Sequence, residues 1–413
     1  MTSAQAPEHR QQAWPRLERL AELFFAWRFA LPAYLGAALL LGALWWRVTT
    51  WLNPTTWWPW PYFLPQLTIS YADNGFTRRA LAGTVADLLH IQPSIGAVKL
   101  MYAAGILAGL LALFGFGWRA TRELRPLERA AALLLLALSP ATMLHWVEDP
   151  GRLDAWVVCF AALAFWLASR RAYLSAAIFA AAAGLIHESF FVVFGFLVLI
   201  VADERRRQGA IGKAEFARAC AALLGLAALF AYLLFYGSAD FASLQQSAAQ
   251  LGQEVEIDGF NLYYSYLGFE ARPHAWAACF MRNDPARAAD LALTMGFLSL
   301  QAFALFAWSD RLRLGLAQLA LLGPAALAFI ALDIGRYAAF ASIGLWLYFF
   351  MAVRTDRPDR VFTARRLLLL AALTALGPLG VTDGYQSLKG ILDSIFGAHS
   401  PQALGAICNA DLR

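Results

Sequence analysis

The chain has 413 residues, 60% of them hydrophobic and only 15% charged, where soluble domains average about 45–50% apolar and about 25% charged. That balance excludes an ordinary soluble enzyme and predicts an all-α, polytopic membrane protein. The formal net charge of +5 does not indicate nucleic acid, because the basic residues are scattered between apolar segments rather than gathered on one polar face.

Residues 1–20, within an N-terminal segment expected over 1–29, are polar and lack the early apolar run of a cleavable signal, so the first span is expected to stay in the mature protein. A crossing needs about 20 apolar residues. Eleven spans are expected, at roughly 30–52, 98–118, 128–146, 154–169, 172–187, 189–203, 217–236, 290–308, 313–332, 337–353 and 366–382. They make one transmembrane domain over 30–382, with long connections at 53–97 and 237–289 and a tail at 383–413. The first connection opens with "NPTTWWPWPYFLP", whose tryptophans fit a headgroup belt. "RRALAGTVADLLH" and "ADFASLQQSAAQLGQEVEI" read as short surface helices. No period of 20–50 residues repeats, which excludes a solenoid.

Charge sets the orientation. With the N-terminus inside, the inner segments hold 22 of the 33 Lys and Arg, while 17 of the 28 acids fall outside. This positive-inside bias predicts a cytoplasmic N-terminus and a periplasmic C-terminus in a bacterial inner membrane.

The unusual polar residues then collect at four outer turns. "YADNGFTRR" brings Asp73, Arg78 and Arg79. "HWVEDPGRLD" brings His145, Glu148, Asp149, Arg152 and Asp154. "GLIHESFF" brings His187 and Glu188, and "LDIGRY" brings Asp333 and Arg336. Asp149-Pro-Gly-Arg152 and Asp333-Ile-Gly-Arg336 share the pattern D-x-G-R, and Asp73-Asn-Gly adds a third D-x-G. The glycine suits a tight turn, and the aspartate can accept bonds from the first amides of the next helix. The arginines are harder to explain this way, since a cation at an outer helix start opposes both the helix dipole and the charge bias. A carboxylate or a ligand phosphate would compensate it.

Glu188 can pair with Arg152 to hold helices together, or it can contact a ligand, bind a metal or accept a proton. Carboxylates at Asp73, Glu148, Asp149, Asp154 and Glu188 can hold Mg²⁺ or Mn²⁺ through oxygen ligands. No H-E-x-x-H, nucleotide-binding glycine loop or nucleophile elbow is present. Cys159 and Cys220 read as apolar packing. Cys279 and Cys408 both fall outside, where an oxidising compartment permits a disulfide between the long loop and the tail.

The layout of many spans, a long first outer loop and an acid within it resembles the GT-C class of membrane glycosyltransferases. It is similar, more loosely, to bacterial polysaccharide polymerases. The resemblance implies a sugar donor on a polyprenyl phosphate or diphosphate, a glycan or lipid acceptor, and the lipid bilayer as partner. Asp73 matches the outer-loop carboxylate, although its neighbour is Asn74. The acidic pair common in that class stands a loop later, at Glu148-Asp149. On this reading Asp73 takes the acceptor's proton, and Arg78, Arg79, Arg152 and Arg336 cradle the phosphate. Glu188 or Asp154 orients the sugar or carries the metal, with Asp149, His145, His187 and Asp333 beside them. Aromatics of "WWPWPYF" and "NLYYSYLGF" either stack on sugar faces or anchor at the interface. Three other classes compete. A transporter or flippase needs charges near mid-span and broken helices in paired halves. A membrane acyltransferase would use His145 or His187 as base. In a structural subunit, the charges would only bridge helices.

Overall fold

The computed structural model describes residues 45–53, 55, 60–124, 126–139, 145–148, 150–194, 206, 209, 212–252, 266, 279, 281–307, 309, 311–327, 333–353, 364–377, 391, 395 and 407–408. Among these every regular element is helical. A 3-10 turn at Trp60–Phe63 leads into α1 (Pro65–Thr68), α2 (Tyr71–Asn74) and α3 (Leu81–Leu88). Then come α4 (Ile95–Ala120), α5 (Pro126–Leu138), α6 (His145–Glu148), α7 (Asp154–Ser169), α8 (Tyr173–Ile186) and α9 (Ser189–Val193). The second half holds α10 (Lys213–Phe235), α11 (Phe241–Gln250), α12 (Pro285–Phe306), α13 (Arg311–Leu319), α14 (Leu322–Leu327), α15 (Ile334–Val353) and α16 (Ala364–Leu376).

Four of these helices, rather than eleven, are long and apolar enough to cross a membrane: α4, α10, α12 and α15. The expected spans at 154–169 and 172–187 are helices, but short ones. At 1.5 Å per residue, α7 and α8 reach only about 24 and 21 Å, against a hydrocarbon core of about 30 Å. The expected span at 313–332 breaks between α13 and α14 at Ala320–Leu321. Pro324 has no N–H to give to the Ala320 carbonyl, and its ring crowds that turn. The described helices at 126–138 and 364–376 are likewise too short. Of the expected spans at 30–52 and 189–203, the structure describes only 45–52 and 189–194.

The helix α4 begins at Ser94, whose side chain accepts from the Ala97 amide at 3.2 Å, an N-cap. It packs closely on α7. Gly105 and Gly109, four residues apart, make this possible: a Cβ at Gly105 would lie 2.6 Å from Trp156 Nε1, and one at Gly109 2.8 Å from the Ala155 carbonyl oxygen. Small residues at this spacing let helix backbones approach. On another face, Leu100, Leu107 and Leu111 stand exposed, an apolar stripe suited to lipid. The centre of the molecule is α15, buried over all its 20 residues. It is apolar nearly all round, the composition of an enclosed helix, and it contacts α4, α7, α12 and α14. Phe306 on α12 stacks on Tyr348 at 4.6 Å between ring centroids, and Phe116 on α4 meets Phe350 edge-on.

The first connection folds onto this bundle. Both segments expected as surface helices are helical, as α3 and α11. Asp240 caps α11 by accepting from the Ser243 amide at 3.3 Å. Trp60 is fully buried against Tyr102, so this member of the tryptophan-rich stretch is core rather than an interface anchor. Cys279 and Cys408 are joined in a disulfide, with Cα atoms 5.7 Å apart. Cys159 is buried and unbonded, as its place in an apolar stretch suggests.

Candidate functional site

The N-terminal ends of α7 and α15 meet the junction of α8 with α9 and the turn before α3. Each contributes ionisable side chains, and together they form one network. Asp154, the first residue of α7, receives Arg336 from the first turn of α15. Arg336 Nε donates to Asp154 Oδ2 at 2.6 Å, and Nη2 donates to Oδ1. His145 Nε2 lies 3.1 Å from the same Oδ2. All three residues are at most 4% exposed. Asp333 Oδ2 lies 3.5 Å from Arg336 Nη1 and 3.5 Å from Arg152 Nη1, so it ties the two D-x-G-R turns together.

A second pair stands beside the first. Arg79 Nε donates to Glu188 Oε2 at 2.9 Å, and Arg79 Nη2 donates to Oε1. Burial opposes the charge on Glu188, but the Arg79 guanidinium outweighs it and holds the carboxyl well below its usual range. Arg79 has φ +62°, left-handed backbone that costs a non-glycine residue roughly 1–2 kcal/mol. The bidentate pair helps to offset that strain. Arg78, its neighbour, is 5% exposed and its Nε has no hydrogen-bond partner. Burial lowers the Arg78 pKa. Its backbone N–H donates to the Gly237 carbonyl at 2.9 Å, which anchors the turn to the end of α10.

His187 has a readable tautomer. The Ser189 N–H donates to His187 Nδ1 at 3.2 Å, with the Ser189 hydroxyl at 2.8 Å. Nδ1 therefore holds the lone pair, and Nε2 carries the hydrogen in the neutral ring. That Nε2 is buried without a partner. Gln66, Arg79, Arg152, His187, Tyr266 and Arg336 line a small cleft partly open to solvent. Gln66 Nε2 donates to the Gly151 carbonyl at 2.9 Å. Gly151 has φ +97°, and a Cβ there would strike the Phe63 ring, so this turn requires glycine. Across Arg152 lies a smaller chamber, lined also by Tyr102, His145, Trp146, Asp154 and Ala155.

The structure thus brings together Arg78, Arg79, His145, Arg152, Asp154, His187, Glu188, Asp333 and Arg336. It corrects one expectation. Glu188 pairs with Arg79 and not with Arg152, because Arg152 is turned toward Asp333. Both Glu188 oxygens accept from the Arg79 guanidinium. Among the described residues no three of His, Cys, Asp and Glu gather closely enough to hold a metal ion; Asp154 and Glu188 face arginines instead. Asp73 stands apart. It is exposed on α2, where the Ser70 hydroxyl donates to its Oδ2 at 2.9 Å. Asp149 and the side chain of Glu148 lie outside the described residues.

No family model, curated protein or solved structure matches this chain. The site is therefore read from its own chemistry. Among the described residues the network holds four arginines against three carboxylates, an excess of positive charge in a mostly buried place. Such a site favours an anion. Sequence reasoning missed Gln66, Tyr102 and Ser189, while Tyr266 falls in the aromatic stretch "NLYYSYLGF". Gln66 had a signal, as the one amide in the apolar run "PYFLPQL". Tyr102 had none, being one aromatic among many in a long apolar helix.

Proposed function

We propose that this protein transfers a sugar from a polyprenyl phosphate or diphosphate to a glycan or lipid acceptor, at the outer face of a bacterial cytoplasmic membrane. The observation that supports this most is the meeting of Arg78, Arg79, Arg152 and Arg336 at helix ends, with three carboxylates beside them among the described residues. A lipid-linked donor keeps its tail in the bilayer and its phosphate at the headgroup plane, the depth at which helix ends lie. Arg79 and Arg336 are held rigid by their carboxylates, so they meet the developing phosphate charge without reorganising. Arg78 adds a charge that no described carboxylate neutralises at ion-pair distance. The charge bias of the connecting segments supports an outer position for this end, and the aromatic Tyr266 is among the residues that line the cleft.

The test is mass spectrometry of lipid-linked and surface glycans in a deletion strain, and in the same strain given wild type or Arg78→Gln at matched expression. The deletion is expected to lack one sugar that wild type restores. Arg78→Gln is expected to lower transfer by about 10²–10³-fold, the effect of losing one preorganised donor. If the deletion lacks an acyl group instead, the chemistry is acyl transfer. If no glycan changes, transport or assembly replaces the sugar-transfer reading.

A further inference from the structure

We infer that the small chamber beside the arginine cleft receives the acceptor hydroxyl, and that His145 is the base that takes its proton. This rests on the sugar-transfer reading above. Asp154 accepts two bonds from Arg336, so it is an ionised carboxylate and only accepts. His145 Nε2, 3.1 Å away, must therefore be its donor. The lone pair of the neutral ring is left on Nδ1. That atom is buried and has no hydrogen-bond partner, on a side chain 4% exposed. Leaving a buried acceptor unsatisfied is unfavourable, so a group with an O–H to donate would be welcome there. The chamber that His145 lines, with Tyr102, Trp146, Arg152 and Asp154, has room for a group of about that size.

Arg152 lines both this chamber and the cleft, so one side chain is shared between the place inferred for the hydroxyl and the place proposed for the phosphate. Among the described residues no carboxylate of the network is free to compete for the proton. Asp154, Glu188 and Asp333 are all engaged with guanidinium groups. The acceptor O–H proton passes to His145 Nδ1 while the oxygen bonds to the sugar's anomeric carbon. The bond from that carbon to the phosphate oxygen breaks, and its electron pair stays on the phosphate, facing Arg79 and Arg152. Asp154 steadies the imidazolium, an orienting part like that of the carboxylate in a hydrolase triad.

The experiment uses the full-length protein in the deletion strain, with the same glycan readout. His145→Gln keeps an amide that can bond Asp154 but has no basic nitrogen. His145→Gly opens a space the size of the ring, which added imidazole can fill. Retention of the Cys279–Cys408 bond in membranes reports folding of each variant. The expected result is loss of the sugar by at least about 10²-fold in both variants, recovery in His145→Gly on adding imidazole, and near-wild-type transfer in Asp73→Asn. Full transfer by His145→Gln overturns the assignment while leaving the sugar-transfer reading intact. Folded His145→Gly that imidazole fails to restore overturns it too, and gives His145 a structural part. Loss in Asp73→Asn with retention in His145→Gln moves the base to Asp73. A deletion with unchanged glycans removes both proposals.

Discussion

At the scale of single residues, the buried ions set both stability and chemistry. Asp154 and Arg336 are each about 4% exposed. Breaking such a pair by removing one partner costs about 3–5 kcal/mol, because the other charge is left buried. Their net worth against an apolar pair is far smaller, so packing alone does not require them. The Arg79–Glu188 pair makes a prediction about pH. Glu188 is held well below its ordinary value of 4.5 in the folded state. A depressed carboxyl stabilises the fold above the unfolded value, and that stability is lost as pH falls through the folded value. Wild type is therefore expected to hold its melting temperature from neutrality down to about pH 4.5 and to fall below it, as far as this group decides. Glu188→Gln is expected to be less stable at neutral pH and to show a shallower fall in the acid window. Thermal melts of both proteins across that range would check this. Parallel curves would show that the pair contributes nothing to acid stability.

At the scale of elements, close helix packing aims the site. Gly109 on α4 lies against the Ala155 carbonyl, one residue after Asp154. A larger side chain there must push the first turn of α7 away, and Asp154 moves with it. Gly109→Val is expected to cost about 1–3 kcal/mol and to reduce transfer as well. Gly115 sits on the same helix with nothing within 4 Å of its would-be Cβ. Gly115→Ala is expected to leave transfer unchanged and to stabilise by about 0.5–1 kcal/mol. Melting and glycan analysis of the two variants side by side would separate helix propensity from helix placement. Equal behaviour of the two would show that the α4–α7 contact does not position the site.

At the scale of the whole molecule, the Cys279–Cys408 bond closes a separation of 129 residues. A cross-link over so long a loop stabilises by about 2–5 kcal/mol, chiefly by restricting the unfolded chain. Cys408→Ser is expected to lower the melting temperature by several degrees. In cells, the bond should be found oxidised, as a thiol-alkylation gel shift seen only after reduction. Thiols found free in freshly isolated membranes would place this end of the chain in a reducing compartment and reverse the proposed orientation.

Several features were legible without any tertiary information. Composition alone determined the helical membrane class, because apolar side chains in that proportion have too little polar surface to face water. The polar turns at 73–79, 145–154, 187–188 and 333–336 were visible because ionisable groups in an apolar chain are costly and rare. Helix ends near 153, 187 and 333 followed from the same residues. Only the tertiary structure decided which charge meets which. Glu188 and Arg79 are 109 residues apart and Asp154 and Arg336 are 182 apart, and local pattern holds no information on partners at such range. The number of crossings was overread for a similar reason. Hydropathy measures apolar content, whereas the breaks at Pro324 and the shortness of α7 and α8 depend on backbone hydrogen bonds and on which helices enclose them. Finally, the free nitrogen of His145 exists only because Arg336, far along the chain, holds Asp154 as an acceptor.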